Sequence, residues 1–365
     1  MNKNLEKLSN NRKLLDFTQT EECVWEHLKN YAKPVILYGM GDGADKVLSA
    51  FEHYGIKATG VMASDGFVRG QRFHNFTVKK LSDFESEYDD FIIALCFASQ
   101  LDSVMEHIKS IAKKHAVLVP SVPAFGNALF DDEFIAKNKA SLEFAYTLFA
   151  DDHSKTVYEN IIKFYYTGKL NLLDEITTDK DEAFNSLLKL NSNEVYVDLG
   201  AYNGDTIDEF LHYSNGEYRK IIAFEPNEKN FSKLKAHCGN LPNVALWQIG
   251  AYSENTCLDF NNKAGRNSAI ADFGKKTRVA TVDSILCGMS ATYIKADVEG
   301  ADYETLTGMK TTLKLFKPKL NFGAYHRFED IFRLPIYINE LNSEYKIYLR
   351  HHPYIPAWDT NLYCI

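Results

Sequence analysis

Two acids close two apolar runs in the second half of the chain. Asp198 ends the run in EVYVDLGAYNGDT (194–206), and Glu225 ends the next one, in KIIAFEPN (220–227). Each run reads as a buried strand leading through a turn into a helix. Both carboxylates are therefore predicted at strand tips, where open α/β sheets bind ligands. The first turn has the spacing Gly200-x-x-x-Gly204, with an acid ahead of the first glycine. A dinucleotide turn needs Gly-x-Gly-x-x-Gly, so that a pyrophosphate can reach the helix N-terminus. An acid at that place suits a ligand with an ammonium group instead. A carboxylate at the second strand tip can accept hydrogen bonds from two ribose hydroxyls. Together the two acids ask for a nucleoside with a free ribose diol and an amino-acid-like cation, and S-adenosylmethionine has both. The plainer readings are a bare glycine turn and an exposed acid before a helix in which Pro226 takes the first position.

Methyl transfer from a sulfonium is an in-line displacement of a good leaving group, so a protein has mainly to align the partners. A hydroxyl acceptor also needs its proton taken up by a base or a metal. Asp297 ends a later strand-like run in IKADVEG, with Glu299 just beyond, and His326 follows another in FGAYHRFED. These three are the catalytic candidates. A histidine of ordinary pKa, about 6.5, holds a proton reversibly near neutrality. Each has a structural reading beside the chemical one. His326 could be satisfied by a carbonyl or by Glu329, Asp297 could cap the helix of EGADYETL, and Glu299 could sit on a solvated first turn. The trio could also ligate Mg²⁺, but hard-metal sites usually gather more carboxylates, so no metal is expected. Strand alternation reads Lys295 as pointing away from the neighbours of Asp297, in a structural role. The polar segment NNKAGRNSAIADFG (261–274), with Arg266 and Ser268, reads either as an acceptor cap binding sugar or phosphate or as a surface loop without a role.

Positioning these residues requires alternating strands and helices. After a helical lead-in (1–30), PVILYGMGDGADKVLSAFEHYGIKATGVMAS (34–64) reads strand, glycine turn, helix, strand. Further strands are predicted in DDFIIALCF (89–97) and AVLVPS (116–121), giving a first α/β domain over 31–126 with a parallel sheet. Residues 127–190 carry apolar side chains at three-and-four spacing and read as a helical connector, with Gly168 as a stop signal. From 191 to 365 the alternation restarts, with strands at 194–199, 220–225, 244–249, 291–296, 318–324, 345–350 and 361–365. CLDF (257–260) and TRVATV (277–282) are expected to add further β structure.

Composition bounds the partners. The 365 residues are 45% hydrophobic and 25% charged, with a net charge of −8, which suits a globular protein of two domains. The acidic balance argues against nucleic-acid binding, which needs a basic face. The N-terminal stretch is polar without an apolar signal region. The longest apolar run, FIIALCFA (91–98), is far shorter than the ~20 residues of a membrane span. The six cysteines include no CxxC pair, so reduced, partly buried thiols are expected in a cytoplasmic protein.

Several dispersed segments, in order, identify a resemblance. VDLGAYNGDT, IIAFEPNEKNFSKL, NVALWQIGAYSENTCLDF, RVATVDSIL, YIKADVEGADYETLTGM, KPKLNFGAYHRFEDIFRLPIYI and YKIYLRHH resemble the FkbM family of S-adenosylmethionine-dependent methyltransferases. The resemblance covers 140–365. It implies a class I methyltransferase fold, a seven-stranded, mostly parallel sheet whose last strand pair reverses direction. It places Asp198, Gly200, Ala201, Tyr202, Asn203, Gly204, Thr206, Glu225, Pro226, Gly250, Ala251 and Asp297 around the cofactor, with Gly250 and Ala251 beside the adenine. Many members carry Asn where this chain has Tyr202. The acceptor implied is a small molecule or glycan, with O-methylation of a sugar hydroxyl in polysaccharide biosynthesis.

In the first domain, Gly39-x-Gly41-x-x-Ala44 fits a dinucleotide or nucleotide-sugar turn, although no acid ends its second strand and Asp65 comes one step later. The domain resembles small Rossmann-like modules fused to sugar-modifying enzymes. A nucleotide-sugar at Gly39–Ala44 and a degenerate domain kept for packing or homo-oligomer formation are both open. Two alternatives to a methyltransferase are a nucleotide-sugar oxidoreductase, for which the first domain lacks a Tyr-x-x-x-Lys proton donor, and a scaffold with a vestigial pocket.

Overall fold

A computed structural model describes residues 14–262, 268–270 and 275–365. The chain divides into two compact units. One comprises residues up to Glu143 with Lys155–Thr177 and His351–Asp359; the other comprises Phe144–Ser154, Thr178–Arg350 and Thr360–Ile365. Within the segment read as a connector, the helices Asp132–Leu148 and Asp152–Thr167 each run from one unit into the other. The second of them stops at Gly168, whose positive φ of +68° suits glycine at a helix C-terminus.

The first unit is built on β1 (Val35–Tyr38), β2 (Gly60–Met62), β3 (Arg72–Phe73), β4 (Phe76–Lys79), β5 (Ile92–Leu95) and β6 (Ala116–Leu118), in the order β3-β4-β2-β1-β5-β6. Every pairing is parallel except β3 with β4. β1 and β5 are buried throughout, as continuous apolar runs in a doubly covered sheet should be. Strand order reverses beside β1, the usual ligand crevice of such sheets. There Gly39 has φ +130° and Gly41 precedes the helix Asp42–Tyr54. A Cβ on Gly43 would lie 2.3 Å from the Cys96 carbonyl oxygen. The helix thus approaches the loop after β5 closely at Gly43.

The second unit holds β7 (Val195–Leu199), β8 (Lys220–Phe224), β9 (Val244–Trp247), β10 (Gly250–Ala251), β11 (Thr256–Asn262), β12 (Ser268–Ile270), β13 (Lys275–Ala280), β14 (Tyr293–Ala296), β15 (Lys319–Gly323), β16 (Ile347–His351) and β17 (Thr360–Cys364). Seven form one sheet in the order β16-β17-β15-β14-β7-β8-β9. β17 runs antiparallel to β15, and the pairings from β15 through β14, β7 and β8 to β9 are parallel. This is the predicted class I architecture. A smaller sheet, β10-β13-β11-β12, follows β9. Arg266 lies outside the described residues, and only the backbone of Ser268 is described, in β12.

Tyr196 of β7 stacks on Phe210 and on Tyr293 of β14, with centroids 4.4 and 5.0 Å apart. Phe210 and Ile207 form the buried face of the helix Asp205–Tyr213, an i, i+3 pair that fastens that helix to the sheet beneath the expected site. Pro226 is not the first residue of the next helix. Asn227 caps Glu228–Cys238, its side-chain oxygen accepting from the Lys229 and Asn230 amides, which is the favoured role of Asn. Cys23, Cys96, Cys238 and Cys364 are buried, Cys257 and Cys287 are exposed, and all six are free thiols. No helix of the described residues is long and apolar enough to cross a membrane.

Candidate active site

The turn after β7 is built by backbone requirements. Gly200 has φ +89°, and a Cβ there would lie 2.1 Å from the carbonyl oxygen of Asp297. Only glycine lets the loop after β7 touch the loop after β14. Gly204, at φ +100°, caps the helix Asp205–Tyr213, and Tyr202 has φ +45°. Asn tolerates that left-handed conformation better than Tyr, which gives a backbone reason for the Asn that the family resemblance implies there. Here the Tyr202 amide still donates to Glu225 Oε2 at 2.9 Å.

Asp198 is the next-to-last residue of β7, and Glu225 is the first residue after its parallel neighbour β8. Asp198 is fully buried. Its Oδ2 accepts from the Thr206 hydroxyl at 2.5 Å, and its Oδ1 has no hydrogen-bond partner. Burial pushes the Asp198 carboxyl up to about 6, against the pull of the Lys295 charge and of the Thr206 and Tyr196 hydroxyls. Glu225 accepts from the Tyr202 and Asn227 amides, one on each oxygen. Burial pushes it up to about 7, with the Asp198 charge adding to the rise. A desolvated carboxylate with an unused acceptor, beside a second raised carboxylate, fits a ligand that brings both a cation and hydroxyl donors.

Asp297 and Glu299 follow β14, and Tyr325 and His326 follow β15. The structure brings all four together. His326 Nε2 lies 3.0 Å from Asp297 Oδ1 and 3.8 Å from Glu299 Oε2, and Nδ1 lies 2.8 Å from Asp302 Oδ2. The Tyr325 hydroxyl donates to both oxygens of Asp297, at 3.1 and 3.2 Å. An ionised carboxylate only accepts, so a ring that meets an ionised carboxylate at each nitrogen donates from both, which is the pattern of an imidazolium. Burial alone would lower its pKa, but Asp302 and Asp297 raise it well above the ordinary histidine value. Burial likewise resists ionisation of Asp297, yet His326, Lys295 and Tyr325 hold it far below the usual range. His326 is 1% exposed, whereas the side chains of Asp297 and Glu299 are 37% and 29% exposed. The open face of this cluster is therefore acidic, and the imidazole lies behind it.

Other expectations meet corrections. Asp297 does not cap a helix, because the helix Asp302–Thr307 begins later, after Ala301. Lys295 pairs in register with Asp198 across β14 and β7, and its charge acts on Asp297 and Asp198. It shares their face because residues i and i+2 of a strand point the same way. Gly250 and Ala251 are buried in β10, where the Ala251 carbonyl accepts from the Thr305 hydroxyl. Ala201 is buried, with its amide donating to the Phe224 carbonyl, and the Asn203 side chain accepts from the Asp205 amide. Tyr325, Asp302 and Asp330 were missed by sequence reasoning. Asp302 and Asp330 read as ordinary polar residues near helix starts, and only their complete burial marks them. Asp302, His326 and Asp330 each bring a donor atom within 4.8 Å of the others, but both ring nitrogens are already engaged with carboxylates.

Residues 198–356 match the family model for the Methyltransferase FkbM domain. This part of the chain is an FkbM methyltransferase domain. It makes the protein a methyltransferase, with S-adenosylmethionine as its cofactor. The crystal structure of methyltransferase FkbM from Methylobacillus flagellatus KT shares the fold over 94% of this chain and 93% of its own, at 21% identity and a TM-score of 0.72. An rRNA methylase from Streptococcus thermophilus is 16% identical and covers 51% of this chain and 92% of its own, at a TM-score of 0.34. No curated protein matches the chain. The FkbM match begins at Asp198 and includes Glu225, Asp297, Glu299 and His326.

Proposed function

We propose that the protein transfers a methyl group from S-adenosylmethionine to a hydroxyl of a sugar, carried by a glycan or by a nucleotide-linked precursor. The observation that carries this reading is the acidic open face made by Asp297 and Glu299 beside the Asp198–Glu225 strand tips. Carboxylates accept hydrogen bonds from several hydroxyls at once, which is how polyol acceptors are oriented.

In this reading Asp198 and the turn Gly200–Gly204 hold the cationic end of the cofactor and Glu225 its ribose diol. Thr206 holds Asp198 in place through the hydroxyl bond described above. The cofactor supplies an electrophilic methyl group and a good leaving group. The chain's own residues orient the acceptor and dispose of its proton. His326 is buried and protonated, so it does not take that proton. Asp297 or Glu299 does, and a weak base suffices because a hydroxyl becomes more acidic as its oxygen forms the new bond. The role of His326 is then to neutralise and fix Asp297.

A nucleotide-sugar at Gly39–Ala44 has less support. Asp42 and Asp45 lie in the first turn of that helix, where negative charge works against a phosphate. The oxidoreductase reading is not favoured beside the FkbM match.

The test is incubation of the protein with S-adenosylmethionine and a panel of monosaccharides, nucleotide-sugars and extracted glycans. Formation of S-adenosylhomocysteine together with a sugar product one methylene heavier is expected. Cofactor turnover only with amine or carboxyl acceptors would refute the hydroxyl assignment.

A further inference from the structure

Behind the acidic face lies a group that the proposed chemistry does not touch. Asp302 is the first residue of the helix Asp302–Thr307 and is fully buried. Its Oδ2 faces His326 Nδ1 at 2.8 Å, and its Oδ1 stands 3.5 Å from the Val298 amide. The segment it closes, Val298–Asp302, contains Glu299 at φ +53° and Gly300 at φ +86°. A non-glycine residue held in the left-handed region needs surroundings that over-determine it. The Arg327 Nε donates to the Gly300 carbonyl at 2.9 Å, and the Arg327 amide donates to Asp330 Oδ2. The loops after β14 and β15 are thus clamped to each other at His326–Asp297, His326–Asp302 and Arg327–Gly300.

We infer that Asp302 is a positioning residue of the methyl-transfer site: it fixes the ring of His326, and through that ring it fixes the Asp297 carboxylate. This rests on the reading that Asp297 faces the acceptor. An imidazole held at one nitrogen can rotate about its side-chain bonds. Held at both, it presents Nε2–H to a single place. Asp302 is fully buried behind His326, so its main route to the acidic face runs through that ring. The charged groups facing His326 are Asp297 and Glu299 from the loop after β14, Asp302 from its helix and Asp330 from the helix Asp330–Leu341. Arg327 is its neighbour in the chain. Burial, with the Asp302 charge next, pushes the Asp330 carboxyl up to about 8.

The test uses the full chain with ¹⁵N-labelled histidine, and Asp302→Asn as the variant. In the wild type, both ring nitrogens of His326 should give imidazolium shifts from pH 6 to pH 8. In Asp302→Asn, which keeps an acceptor but removes the charge, the ring should deprotonate at a lower pH. Binding of S-adenosylhomocysteine should stay within about threefold of wild type, because Asp198 and Glu225 are untouched. A crystal structure of the variant should show the Asp297 carboxylate rotated away from its wild-type place. A neutral His326 in the wild type at pH 7 overturns the inference without any variant. An unchanged titration and an unmoved Asp297 in Asp302→Asn overturn it as well. If Asp302→Asn does not fold, Asp302→Glu, which restores the charge, should recover the imidazolium signals; their failure to return in a folded Asp302→Glu counts against the inference. Failure of the wild type to bind S-adenosylhomocysteine would instead defeat the functional reading and leave the histidine titration intact.

Discussion

Thr206 donates its hydroxyl to one oxygen of Asp198 at 2.5 Å and leaves the other oxygen of that buried carboxylate without a hydrogen-bond partner. The Tyr196 hydroxyl, two residues away on the same face, makes no short hydrogen bond either, but it acts on the Asp198 carboxylate and helps hold its pKa down. A buried acceptor left unmade costs free energy that a ligand can recover. That relationship sets the first two expectations for the cofactor site.

Glu225→Ala removes the acceptor for the ribose diol. Each charge-assisted hydrogen bond is worth about 1.5–3 kcal/mol, or about 10- to 100-fold in affinity. Calorimetry with S-adenosylhomocysteine should show at least that loss, with Asp198→Asn also weakening binding by about tenfold or more. Wild-type affinity in either variant would remove that residue from the cofactor site.

Binding should also depend on pH. The free protein holds the carboxyls of Asp198 and Glu225 near 6 and 7. A cationic, hydroxyl-bearing ligand favours their ionised forms, so binding releases protons. Affinity should be greatest above pH 7 and fall by about tenfold per pH unit per proton as pH drops below 6. Calorimetry in buffers of different ionisation enthalpy measures the proton release; its absence would contradict the placement of these acids.

Gly200→Ala forces a Cβ to within 2.1 Å of a backbone carbonyl at φ +89°. Backbone strain alone costs about 1–3 kcal/mol, and the clash adds to it. The urea midpoint should fall and cofactor binding weaken together, because the same turn carries the amide that meets Glu225. A variant with unaltered midpoint would show that the loop after β14 yields without cost.

His326→Ala leaves Asp302 buried without its cation. Breaking such a pair costs about 3–5 kcal/mol, read as a lowered urea midpoint. The pKa of His326 is raised in the folded state, so its contribution is complete below the unfolded value of about 6.5 and disappears as pH rises through the folded one. The difference between wild type and His326→Ala should therefore be largest at pH 6 and shrink in alkali. A difference that grows with pH would mean the ring is folded in its neutral form.

The strands of the methyltransferase domain were legible because each carries a dense apolar run that ends at a polar tip. β7, β8, β14 and β15 all lie within one or two residues of their predicted limits. Asp198, Glu225, Asp297 and His326 could be picked out for the same reason: they stand where such runs stop. What the runs could not carry was the partner of each side chain. The structural role read for Lys295 left out its charge, which a period of two places beside Asp297. Asp302 looked like any acid near a helix start.

By itself, then, the sequence determined the alternation of strands and helices and the acids at the carboxyl edge of the sheet, since hydrophobic periodicity and glycine spacing are local properties; the class I form of that sheet is what the family resemblance implied. Only the tertiary structure decided that His326 is enclosed by carboxylates, which raise its pKa well above the ordinary value, rather than standing as an open imidazole. Protonation depends on desolvation and on charges from Asp302 and Asp297, which the chain brings together from separate loops, and no local pattern encodes that meeting.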